Sequence, residues 1–151
     1  MKKMILTLLL AAAVMFGQLG GNNKKGPASQ AHVLTNAEFD ALLAQPDRLL
    51  IIDVRRPDEI TANGGFPAYL SIQARELAHS LAWIPKDRTI VTVSNHAARG
   101  SGAADILTKA GFNVAGTIGA QTYEQAGGKL TRITPPPPAA DNGKKQAGAE
   151  Q

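Results

Sequence analysis

Cysteine is absent from all 151 residues. That excludes disulfides, thiolate nucleophiles, cysteine-ligated metals and lipid attachment through a thiol. Histidine is scarce. His32, His79 and His96 are scattered without ligand spacing, so neither a metal nor a cofactor is expected. Aromatic residues make up 5% of the chain, with a single tryptophan. Trp83, followed by Ile84 and Pro85, reads as an edge of the core, with an exposed partner contact as the alternative. The chain also lacks a hydrophobic run of membrane-spanning length, about 20 residues. The run that comes nearest, Met4 to Phe16, is broken by Thr7 and preceded by Lys2 and Lys3. That pattern is a secretory signal. It points to export, into the periplasm of a bacterium, with an uncleaved membrane anchor as the alternative.

An excess of one charge sign is missing where it would matter. The net charge is +4. Between His32 and Ile133, however, ten basic residues face ten acidic ones. The excess sits in Lys2, Lys3, Lys24, Lys25, Lys144 and Lys145, against Asp141 and Glu150. A basic nucleic-acid footprint is therefore not expected. Residues 1–21 read as the signal, 22–31 as a linker and 32–133 as the one globular domain. Residues 134–151 read as a disordered tail, opened by Pro135 to Pro138 and then small and polar.

What is present is an alternation of two periodicities. "LTNAEFDALLAQP" has Thr35 and Glu38 in capping-box spacing, then Phe39, Leu42 and Leu43 at helical spacing, then Pro46. "RLLIIDV" and "TIVTV" are continuous apolar runs of the length of strands buried on both faces. "PDEITA" favours one helical turn, "YLSI" a short strand, and "ARELAHSLAWI" a helix with Leu77, Leu81 and Ile84 on one face. "SGAADILTKAG" carries Ile106 and Leu107 and ends in Gly111, a C-cap glycine. "NVAGTI" predicts a further strand, and "AQTYEQAGG" a closing helix that stops at Gly127. Alternating strands and helices predict an α/β domain with a mainly parallel sheet of about five strands and helices on both faces. Ligands of such sheets bind outside the carboxyl ends of the strands. Asp53–Arg55 and Ser94–Arg99 both fall there.

The stretch "VSNHAARGSG" therefore carries the candidate site. A loop of small residues leading from a strand into a helix presents N–H groups to an anion. Its members are Ser94, Asn95, His96, Ala97, Ala98 and Arg99. Asp53 and Arg55 are supporting residues that either line the pocket or form an internal ion pair fixing the loops. Arg99 either adds charge to the pocket, points outward or pairs with an acid. Arg56, Asp58 and Glu59 read as a solvated face. A hydrolase nucleophile at Ser94 would need a base within reach. His96 is two residues away on the same turn, and the G-x-S-x-G elbow is missing.

The segments "LLIIDVRRPDEI", "GGFPAYLSI", "IPKDRTIVTVS" and "AADILTKAGFNVAGTIGA", in this order around a six-residue loop, resemble a single rhodanese domain. The resemblance spans residues 32–133. In that family the loop runs Cys-x4-Arg, and its cysteine takes sulfur from a donor such as thiosulfate and passes it on as a persulfide. Here Arg99 falls on the loop-closing arginine and Ser94 on the cysteine. The spacing also differs from that of the related phosphatase loop, which is one residue longer. Gly65 stands where a histidine is common and Tyr123 where a tryptophan is common.

Serine at that position removes the chemistry. Oxygen cannot carry a persulfide, and a hydroxyl is a far weaker acid than a thiol. The resemblance thus implies a rhodanese-like protein inactive in sulfur transfer. It would bind a small anion (sulfate, phosphate or thiosulfate) or a protein partner through residues 94–99. Against this stands a loop that only joins strand to helix. The alternatives at the level of function are a sulfurtransferase-type enzyme using a partner's cysteine and a module acting through its flanking tails.

Overall fold

The structure is a computed structural model that describes residues 29–132 and Thr134. The signal assigned to 1–21, most of the linker and nearly all of the tail lie outside the described residues. Among the described residues no helix is long and apolar enough to cross a membrane.

Four parallel strands form the sheet: β1 (Leu49–Asp53), β2 (Leu70–Ser71), β3 (Thr89–Ser94) and β4 (Val114–Gly119), in the order β2-β1-β3-β4. About five strands were expected. The fifth is reduced to a single parallel bridge, Val33 to Thr117. The Thr117 N–H donates to the His32 carbonyl and the Leu34 N–H to the Thr117 carbonyl, both at 2.8 Å. Thr35 then caps α1 (Asn36–Leu43) and turns the chain away before the ladder can lengthen. Thr35 and Glu38 bond reciprocally, as their spacing predicts.

Side chains alternate across the central strands and build two cores. On one face Ile51, Val91, Val93 and Ile118 pack with Leu34, Phe39 of α1, Phe66, and Ala120 and Tyr123 of α5 (Ala120–Gln125). Phe39, Phe66 and Tyr123 meet edge to face with centroids 4.9, 5.4 and 5.6 Å apart. Such pairs add about 0.5–1.5 kcal/mol each beyond their buried area. On the other face Ile52, Val54 and Ile90 pack with Leu77 of α3 (Leu77–Ser80), with Ile84 and Phe112, and with Ala103 and Leu107 of α4 (Ala98–Lys109). Helices thus cover both faces, as predicted.

Local expectations fare unevenly. "PDEITA" extends to a seven-residue helix, α2 (Pro57–Asn63). The segment at 74–84 divides into α3 and a 3-10 turn, Leu81–Trp83. Leu77 and Ile84 are buried there and Leu81 only partly. Trp83 is 84% exposed, so it is not an edge of the core. The 3-10 turn rotates it away from the face that Leu77 and Ile84 share. In α4 Leu107 is buried and Ile106 faces outward. Gly111 follows the cap residue Ala110 with φ +80°, the left-handed conformation that ends a helix at little cost for glycine.

Candidate functional site

The carboxyl ends of β1 and β3 lie side by side, with Asp53 opposite Val93. This brings the Asp53–Arg55 turn beside the 94–99 loop. Asp53 and Arg55 are both fully buried. The Arg55 Nε and Nη2 groups donate to the Asp53 carboxylate at 2.7–3.1 Å, and the Arg55 backbone N–H adds a further bond at 3.0 Å. Nη2 also donates to the Gly64 carbonyl at 3.0 Å, and Nη1 to Asn95 Oδ1 at 3.3 Å. Of the two roles open to this pair, the geometry matches the internal ion pair that fixes the loops.

Ser94 is 1% exposed. Its Oγ accepts the Gly100 N–H at 3.2 Å, tying the last residue of β3 to the first turn of α4. Below it, the Thr92 hydroxyl donates to the Gly100 carbonyl at 2.8 Å and the Thr117 hydroxyl to the Thr92 carbonyl at 3.0 Å. A methyl group at Gly100 would overlap the Thr117 hydroxyl. Only glycine lets the helix start sit this close to the sheet. The floor of the loop is therefore a closed polar network, and no buried side-chain nitrogen or oxygen lacks a partner among the described residues.

The loop itself holds one backbone strain. Ala97 adopts φ +66°, ψ −27°, a region that costs a residue with a Cβ roughly 1–2 kcal/mol. The reversal lets the Ala98 N–H donate back to the His96 carbonyl at 2.9 Å, while the Ser101 N–H bonds the Ala97 carbonyl at 2.8 Å. Three amides near the helix start, those of Ala98, Gly100 and Ser101, are thus engaged within the protein. The amides of Asn95, His96, Ala97 and Arg99 have no protein acceptor among the described residues. His96 is exposed and forms no side-chain hydrogen bond among the described residues. It supplies no base to the buried Ser94, which removes the geometry a serine nucleophile requires.

The rim contains Glu59, a residue expected on a solvated face. Glu59, in the first turn of α2, accepts from Arg99 Nη1 at 2.8 Å and Nη2 at 2.6 Å, and from Asn95 Nδ2 at 2.9 Å. It also accepts the Arg56 N–H at 3.0 Å. The Glu59 side chain is 16% exposed and that of Arg99 42%. Arg99 therefore pairs with an acid rather than pointing freely into the loop. Its paired hydrogen bonds hold the Glu59 carboxyl down at about 2, against burial, which acts the other way. No signal in the sequence marks Glu59, because its partner is 40 positions downstream. Arg56 and Asp58 do form the exposed pair expected of a solvated face.

Gly65 and Tyr123 are both held by contacts within the protein. Gly65 exchanges both backbone bonds with Thr131, at 2.9 and 2.7 Å. Tyr123 keeps its ring in the core and donates its hydroxyl to Asp40 Oδ1 at 2.6 Å. Burial, then the Asp40 bond, pushes that phenol up to about 12.

Solved structures share this architecture. A rhodanese-related protein from Thermoplasma volcanium aligns with a TM-score of 0.58 and 20% identity, over 66% of this chain and 97% of that one. A rhodanese-like domain protein from Staphylococcus aureus aligns at 0.57 with 19% identity, over 68% of this chain and 98% of that one. A thiosulfate sulfurtransferase from Pseudomonas aeruginosa aligns at 0.53 with 26% identity, over 68% of this chain but only 20% of the enzyme. No family model and no curated protein matches the sequence.

Proposed function

Given that the chain folds as a rhodanese-like domain, we propose that it is an exported binding module that has lost sulfur transfer and retains the 94–99 loop as a seat for a small anion. The observation that carries the loss is Ser94. It is buried and engaged by Gly100, and the resemblance in the Ser94-to-Arg99 spacing sets it where the sulfur-carrying cysteine would stand. With no cysteine anywhere in the chain, a persulfide has no atom to form on. The seat is supported by the unengaged amides of Asn95, His96 and Ala97 at the start of α4, which favour negative charge. Sulfate, phosphate and thiosulfate carry the negative charge such amides favour. A protein partner presenting an acidic group would use the same donors.

Two experiments test the reading. Purified protein given thiosulfate and cyanide is expected to form no thiocyanate above the buffer blank, and genuine turnover overturns the loss of catalysis. Ser94→Cys places a thiol under the Gly100 N–H. Its thiolate is expected to attack the outer sulfur of thiosulfate, releasing sulfite and gaining one sulfur by mass. Cyanide then removes that sulfur as thiocyanate. A variant that folds but gains no sulfur argues that the loop no longer seats the donor. The P. aeruginosa neighbour is a thiosulfate sulfurtransferase, and a second reading keeps that activity with a partner's cysteine. Thiocyanate formation that appears only when a thiol protein is added would favour it.

A further inference from the structure

We infer that Glu59 is the resident anion of the loop: its carboxylate occupies Arg99 and Asn95, and a solute anion reaches Arg99 only by displacing it. This rests on the reading that the loop amides seat a small anion. Four donors converge on the two Glu59 oxygens: both terminal nitrogens of Arg99, the Asn95 side-chain amide and the Arg56 N–H. A guanidinium held by both terminal nitrogens on a carboxylate presents the fork that would otherwise take a phosphate or sulfate edge. The charged pairs around the loop, Asp53–Arg55, Asp58–Arg56 and Glu59–Arg99, sum to zero, so an incoming dianion meets no net charge.

The contact is built to exchange. Arg99 closes the loop in the first turn of α4 and is the more exposed partner. Water can take the place of Glu59 at the exposed Arg99 guanidinium, which limits the pair's net strength. Glu59 also keeps a place when Arg99 leaves. It still accepts the Arg56 N–H and lies in the N-terminal turn of α2, where a carboxylate is favoured. Latched, the loop has backbone amides alone. Released, it gains one cation. Divalent anions gain most from that change, so the latch makes the native loop discriminate against them.

The test is titration calorimetry of the full chain with sulfate and phosphate, in the native protein, Glu59→Gln, Arg99→Gln and the double variant. Glu59→Gln is expected to bind sulfate about tenfold tighter or more, the gain expected of a freed charge-assisted fork. The double variant is expected to lose that gain, which assigns it to Arg99. Glu59→Asp, with a shorter carboxylate, is expected to fall between native and Glu59→Gln. Thermal melts verify that each variant is folded. If the native protein binds sulfate and folded Glu59→Gln binds no tighter, the latch is overturned and the anion seat stands. If neither binds, both fall.

Discussion

Two ion pairs bracket the loop, and they differ in one variable. Asp53–Arg55 is fully enclosed, while Glu59–Arg99 leaves 16% and 42% of its side chains in solvent. Both are carboxylate–guanidinium pairs with additional hydrogen bonds to Asn95. Burial makes the first a fixture. Its charges were taken out of water, and removing one partner strands the other. Exposure makes the second exchangeable, because solvent replaces whatever leaves. Asn95 joins the two, accepting from Arg55 Nη1 and donating to Glu59.

Breaking the buried pair is expected to have the largest effect. Arg55→Met leaves Asp53 enclosed without its partner, at about 3–5 kcal/mol. For a domain of this size that lowers the melting temperature by roughly 15 °C or more, measurable by calorimetric or circular-dichroism melts. A loss under about 5 °C would show that water reaches Asp53. Next comes the closed floor beneath Ser94. Gly100→Ala forces the helix start away from Thr117 and is expected to cost about 1–3 kcal/mol in urea unfolding. Adding Thr117→Ala should recover part of it, and a strictly additive pair would show that the two positions do not meet.

At the rim, Arg99→Gln is expected to change stability by less than about 1 kcal/mol. A larger loss would make the outer pair as structural as the inner one. The smallest effect is on acid stability. The folded Glu59 carboxyl sits at about 2, below the ordinary 4.5. Its pairing therefore stabilises the fold above about 4.5 and is lost as the pH falls from there toward about 2. Glu59→Gln should flatten that part of the curve slightly. The native carboxyl resonance should titrate below ordinary glutamates, and a midpoint at the ordinary value would show the latch open.

The same division separates what could be read in the sequence from what could not. Thr35 with Glu38, the apolar runs before Asp53 and Ser94, and Gly111 are local signals, and each appears in the structure where its spacing places it. The Ser94–Arg99 interval marked the loop. The partners of its members were not legible. Glu59 meets Arg99, and Thr117 meets Gly100, only after parallel strands have been laid side by side, and nothing within a short window encodes that. Trp83 misled for a related reason. Its apolar character suggested burial, but its orientation depends on α3 giving way to a tighter turn after Ser80.

That outward tryptophan also has a practical bearing on the optical spectroscopy of this protein. It is the single indole in the chain and is almost fully hydrated in the folded state. Its emission in the native protein should already resemble that of a denatured chain, and it should be quenched readily by iodide. Fluorescence of Trp83 would therefore show little change while the domain unfolds. Tyr123, enclosed with Phe39 and Phe66, is the chromophore whose near-ultraviolet circular dichroism would follow the fold.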